Sequence, residues 1–217
     1  MTVRNRGALA ALAAGVAALT VAAVVACGSQ PAGNVGAEEA TTLASNPPAD
    51  ASAPSVPVTV GELPADAGVV PPVRLVIPDI DVTATVNAVG INERTNEFEV
   101  PPSVDQIGWY RYGPGLEATA GSVVIAGHVD SATQGRGAFF RLRQLDKGDT
   151  LTATGSDGTA RRYRVVAREE YAKTRIPLDR YFARDGKPRL TLITCGGPFD
   201  AKARKYRDNI VVTAVPA

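Results

Sequence analysis

Apolar and polar positions divide the chain into three stretches. Ala8 to Ala26 carries no charge and is almost wholly Ala, Val and Leu. From Gly28 to Pro71 the chain is rich in Ala, Pro, Ser, Thr and Gly, with no aromatic residue and no apolar period. From Pro72 onward, short β-prone runs recur between Gly, Pro and Asp breaks. Val73–Ile77 and Val82–Val89 alternate as half-buried strands do, and further strands are expected at 122–126, 149–154, 160–170, 189–194 and 209–215. Gly155-Ser156-Asp157-Gly158 reads as a hairpin turn between two of them. Helical signals are weak and short, at 138–144 and, after Pro177, at 178–183. Many short strands with few helices predict a mainly β domain over 72–217, a closed barrel or a sandwich.

The first stretch is an address. Its uncharged residues, as a helix rising ~1.5 Å per residue, reach about 28 Å, close to the apolar thickness of a bilayer. Arg4 and Arg6 ahead of it hold the amino terminus in the cytoplasm and place the rest outside. Val24-Val25-Ala26-Cys27 followed by Gly28-Ser29 is similar to a bacterial lipobox, so residues 1–27 are read as a signal ending in a lipidated Cys27. An uncleaved signal anchor and ordinary secretion are the alternatives, and all three put the folded domain outside the cytoplasm. Residues 28–71 then form a disordered tether, too poor in apolar residues to offset chain entropy.

Charge follows the same divisions, with +2 in the leader, −5 in the tether and +4 in the domain, for a net +1. That balance argues against nucleic-acid binding. One histidine and two cysteines cannot build a multi-His, multi-Cys metal site, and no convincing carboxylate cluster replaces it, so no metal and no cofactor are expected. A Cys27–Cys195 disulfide is disfavoured because a membrane-level cysteine cannot reach a tethered domain. Cys195 is then a free thiol in an oxidising compartment, which invites a functional explanation. Leu63-Pro64-Ala65-Asp66-Ala67 has a passing likeness to a sorting motif without its Thr-Gly end, and the chain carries no sorting tail at its carboxy end. Eighteen Arg against five Lys, with abundant Ala, point weakly to a GC-rich genome such as an actinobacterium's.

Two strand ends concentrate the chemistry. Gly121 to His128 is an apolar strand closing on the only histidine, and Arg189 to Cys195 is another closing on the only cysteine beyond the leader. A basic run, Lys202 to Arg207, precedes the last strand. A thiol, an imidazole that moves protons and a fixed cation together suit cysteine acyl transfer. The expected active form pairs a Cys195 thiolate with protonated His128. Thr194, beside the nucleophile, shapes the site or contacts substrate. Asp130 either orients His128 or caps a turn, and Trp109-Tyr110 either packs in the core or borders a groove.

Gly127-His128-Val129-Asp130, Thr191-Leu192-Ile193-Thr194-Cys195 and Tyr206-Arg207-Asp208-Asn209 stand in an order and spacing that resemble the signatures of sortases, most of all class F. The resemblance covers about residues 72–217. It implies an eight-stranded sortase β-barrel and a monomeric cysteine transpeptidase of the Gram-positive envelope. Such an enzyme cleaves a Leu-Pro-x-Thr-Gly-like signal between Thr and Gly and passes the acyl group to an amine on a peptidoglycan precursor or a protein. It implies Cys195 as nucleophile, His128 as general acid and base, and Arg207 as carbonyl and oxyanion stabiliser, with Arg204 as fallback. Two other readings stay open: a cysteine peptidase using water as acceptor, and a non-catalytic peptide-binding envelope lipoprotein.

Overall fold

The computed structural model describes residues 33–45, 68–92, 94 and 97–217. The leader, Cys27 with its expected lipidation, and the tether at 28–32 and 46–67 lie outside the described residues. Among the described residues, no helix is long and apolar enough to cross a membrane.

Twelve strands are present among those residues: β1 (Pro72–Ile77), β2 (Val82–Val89), β3 (Ile91–Asn92), β4 (Glu97–Phe98), β5 (Ile107–Tyr110), β6 (Ser122–Gly127), β7 (Asp130–Ser131), β8 (Gly135–Arg136), β9 (Thr150–Gly155), β10 (Ala160–Ala172), β11 (Arg189–Asp200) and β12 (Lys205–Pro216). Eight close a barrel in the order β1-β2-β5-β6-β11-β12-β10-β9, while β3-β4 and β7-β8 are two-stranded ribbons outside it. Pairing is antiparallel except for β2 with β5 and β6 with β11. The mainly β, closed-barrel expectation therefore holds.

Alternation builds the interior. Leu75 and Ile77, Val82, Ala84 and Val86, Val123 and Ile125, Leu190 and Leu192, and Val212 and Ala214 all enter one buried cluster. Residues between them face outward, which fixes the facing of each strand end by parity. On the outer face of β6 and β11, the Ser122 and Thr191 hydroxyls bond at 2.7 Å.

Four expectations change. The eighth barrel strand, β5, carries the pattern Ile-Gly-Trp-Tyr and too few alternating positions to register as a strand. Its Trp109 is a core residue whose indole N–H donates to the Pro114 carbonyl at 3.1 Å. The helical turn expected at 138–144 shrinks to a 3-10 turn at Leu142–Gln144, and that at 178–183 to α2 (Leu178–Tyr181) once α1 (Ala37–Ala44) has been counted. The strands bearing Cys195 and Arg207 run further than expected, joined by a hairpin that pairs Phe199 with Tyr206 across a register shift after Gly196. Gly197 takes φ 70° at that bulge, where a side chain would strike Asp208.

The fourth change concerns the tether, of which residues 33–45 are ordered. Val35 exchanges two 2.8 Å backbone hydrogen bonds with Arg168 of β10. Helix α1 follows, with Glu38 and Glu39 in its first turn, where the helix dipole favours acids. Eight residues cannot hold a helix alone. Docking does so: Ala40 is buried, the Leu43 carbonyl accepts from Lys187 N–H at 2.9 Å, and Thr41 accepts from Arg180 at 2.8 Å.

Candidate active site

Register brings the expected residues to one place. In the parallel pair β6–β11, Ala126 stands beside Ile193. His128 and Cys195 each lie two residues further along and so share a level and, by parity, the outer face. Across the antiparallel β11–β12 pair, Cys195 is opposite Asn209. Arg207, two residues along β12, shares that face. Cys195 is a free, half-buried thiol.

His128 is held on three sides. Its Nε2–H donates to the Pro101 carbonyl at 3.0 Å. A carbonyl can only accept, so Nε2 carries a proton and Nδ1 is the nitrogen left to exchange one. The His128 carbonyl accepts from Phe139 N–H at 3.1 Å. Gly137 packs so close that a Cβ there would sit 2.3 Å from the same oxygen, and only glycine permits the approach.

Thr194 is buried, and its hydroxyl donates to the Gly127 carbonyl at 2.8 Å. That bond ties the residue before the cysteine to the residue before the histidine. The proton of its hydroxyl is thus engaged within the protein, between the two strands.

Asp130 neither meets His128 nor caps a turn. Its carboxylate accepts from the Tyr206 hydroxyl at 2.5 Å, a bond that pushes the phenol up to about 12. Tyr206 also stacks edge-on against the exposed Phe199 ring and lines, with Cys195, Gly196 and Phe139, a cavity of about 210 Å³. The Arg207 side chain is 65% exposed, and its guanidinium donates to Asp200 at 3.2 Å. The Asp200 carboxyl lies below its ordinary range, chiefly through the Ala203 backbone N–H and then through Arg207. Arg204 occupies the hairpin turn with φ 50°.

Among the described residues, the cation that touches the Cys195 thiol is Lys173, just past β10, whose ammonium donates to Sγ at 3.4 Å. Sequence reading missed it because nothing local marks one lysine after a strand; the contact is tertiary. Its backbone N–H donates to the Arg207 carbonyl at 3.1 Å, which seats it beside β12.

On the outer face, Cys195 opens onto a groove of about 420 Å³ walled by Phe98, Val100, Ile176, Leu178 and Ile193. Behind the Ile176–Leu178 wall, the buried Glu169 carboxylate accepts from Arg180 at 2.7 Å and from Tyr181 at 2.7 Å. Tyr171 donates to the same group at 2.5 Å. Burial first, and then the hydrogen bonds that its hydroxyl donates to Tyr171 and Glu169, raise the Tyr181 phenol. This network bolts α2, and with it one groove wall, to β10.

A family model described as Sortase domain matches residues 75–217. The chain belongs to the sortase family. Sortases are cysteine transpeptidases that anchor proteins to the cell wall, and they act at the cell envelope. Among solved structures, the chain is similar to sortase C-1 from Actinomyces oris, with 23% identity over 66% of this chain and 72% of that one and a TM-score of 0.51. It is likewise similar to sortase A from Corynebacterium diphtheriae, with 21% identity, 68% and 61% coverage and a TM-score of 0.51. Sortase C2 of the Group B Streptococcus pilus island 1 follows at 19% identity, 66% and 72% coverage and a TM-score of 0.50. At such identities these likenesses speak for the fold. No curated protein matches the chain.

In sortase terms, the barrel supplies two parallel strands whose pairing, last at Ala126 and Ile193, brings an imidazole and a thiol to one level. The thiol lines an apolar groove.

Proposed function

We propose that this sortase cleaves a Leu-Pro-x-Thr-Gly-like signal between Thr and Gly and transfers the acyl group ending at the Thr carbonyl to an envelope amine. Cys195 sulfur attacks the Thr carbonyl carbon; the C–S bond forms and the carbonyl π pair moves to oxygen. Collapse of that oxyanion breaks the C–N bond, and the departing Gly nitrogen takes a proton from His128. The thioester then meets an amine, whose proton passes to His128 as its nitrogen displaces the sulfur. Arg207 exchanges Asp200 for the substrate carbonyl during these steps. The donor is a protein bearing the signal; the acceptor is an amine of a peptidoglycan precursor or a protein.

The observation that supports this reading is the register that sets His128 and Cys195 at one level and face, with the Cys195 thiol in an apolar groove. We place the enzyme nearest class F on Val129-Asp130 and on Gly196-Gly197-Pro198-Phe199-Asp200. The leader and a lipidated Cys27 would hold it at the outer membrane face. The test is incubation of the full-length chain with a panel of Leu-Pro-x-Thr-Gly peptides plus amines, read by mass spectrometry. An amide product carrying the added amine is expected. Free acid alone, whatever the amine, would make it a peptidase; cleavage unaffected by Cys195→Ala would remove the mechanism.

A further inference from the structure

Arg207 is the cation that the sortase signature offers to the reaction, yet in this structure it is engaged by Asp200 while another cation occupies the thiol. Among the described residues lining the groove, Lys173 is the one charged side chain. Its ammonium stands 3.4 Å from Sγ, and its main chain is pinned to Arg207 by a 3.1 Å hydrogen bond. An ammonium is a compact point charge with three donors on a flexible stem, so it can follow a nucleophile through a change of partner.

We propose that Lys173 is a second catalytic cation of this enzyme. Before acylation it pairs with the Cys195 thiolate. When the sulfur attacks the substrate carbonyl, the negative charge moves from sulfur to the carbonyl oxygen bonded to the adjacent carbon. The ammonium, already within hydrogen-bond reach of the sulfur, donates there instead. Lys173 neither gains nor loses a proton in the cycle. It shares with Arg207 the load of the developing charge, and the division of labour is spatial: Lys173 waits inside the groove, and Arg207 arrives from the hairpin when it leaves Asp200. The role in acyl transfer rests on the proposed function, whereas the charge at the thiol does not.

Two measurements on the full-length chain in detergent separate those parts. The first compares alkylation of Cys195 by iodoacetate, which is anionic, with alkylation by iodoacetamide, which is neutral. In both, sulfur bonds to the methylene carbon and iodide leaves, so the ratio of rates reports the charge beside sulfur and cancels the reactivity of the thiol. A unit charge about 4 Å away in a water-accessible groove changes that ratio about fivefold. The ratio should fall about fivefold in Lys173→Met and recover in Lys173→Arg. An unchanged ratio in Lys173→Met overturns the proposal, as does a fall in Arg207→Met that Lys173→Met does not share. The second is the rate at which a Leu-Pro-x-Thr-Gly peptide acylates Cys195. Lys173→Met should lower kcat at least about tenfold with little change in KM, and Lys173→Arg should restore part of it. An intact kcat in Lys173→Met overturns the catalytic role. If wild-type protein accepts no such peptide, the proposed function fails on its own, and the alkylation ratio still judges whether Lys173 is the cation at the thiol.

Discussion

The Thr194–Gly127 hydrogen bond makes a sharp prediction, because it connects the strand of Cys195 to the strand that leads to His128. Thr194→Val keeps the β-branched shape and volume and deletes the donor, leaving the buried Gly127 carbonyl without that 2.8 Å partner. Losing one such bond costs about 1–2 kcal/mol. In a domain of this size each kcal/mol moves Tm by about 2–4 °C, so a fall of about 2–8 °C is expected by calorimetry or thermal circular dichroism. The functional effect should be larger than the stability loss implies, since an error of about 1 Å between reacting groups can cost about a hundredfold in rate. Acylation of Cys195 by a signal peptide, followed by stopped-time mass spectrometry, should slow at least about tenfold, in kcat more than in KM. Thr194→Ser, which keeps the hydroxyl, should recover most of both. Unchanged Tm and unchanged acylation in Thr194→Val, or a serine variant as impaired as the valine one, refutes the reasoning.

Two further outcomes follow from other contacts. Arg180→Met leaves the buried Glu169 carboxylate without its cation and should destabilise by about 3 kcal/mol or more by denaturant titration. Recovery is expected on adding Glu169→Gln; equal stability of Arg180→Met and wild type would exclude a structural role for that pair. Tyr206 should ionise near pH 12, followed by its ultraviolet difference spectrum, and Asp130→Ala should return it toward an ordinary tyrosine near 10. The folded-state value lies above the unfolded one, so this bond's contribution to stability is complete below about pH 10 and is lost as pH rises toward 12. A Tyr206 titration indifferent to Asp130→Ala would contradict the assigned bond.

The barrel was legible because most of its strands alternate cleanly, as in Val82-Thr83-Ala84-Thr85-Val86 and Leu190-Thr191-Leu192. Where alternation is short the reading failed: Ile107 to Tyr110 places a glycine between its two inward residues and looks like a loop. Helix α1 was illegible for a different reason. Its composition is that of a disordered linker, and what folds it is docking of Ala40, Thr41 and Leu43 onto residues more than a hundred positions away. The same divide runs through the site. His128 and Cys195 could be found because one is the only histidine and the other the only cysteine beyond the leader, each closing an apolar run. Lys173 and the Tyr206–Asp130 pair could not, since their chemistry arises from contacts across the barrel rim. Arg207 was found by its place in a motif, but its engagement with Asp200 is a property of the hairpin geometry.

The central claim is that Cys195 is the nucleophile that carries the acyl group. It is tested most directly by quenching the full-length protein in acid soon after mixing with a Leu-Pro-x-Thr-Gly peptide and mapping proteolytic fragments by mass spectrometry. The account predicts a thioester on the Cys195 fragment with the mass of the peptide up to its Thr, lost on adding an amine and absent in Cys195→Ala and strongly reduced in His128→Ala. A peptide cleaved at the same rate with no adduct on Cys195, or by the Cys195→Ala variant, would contradict it.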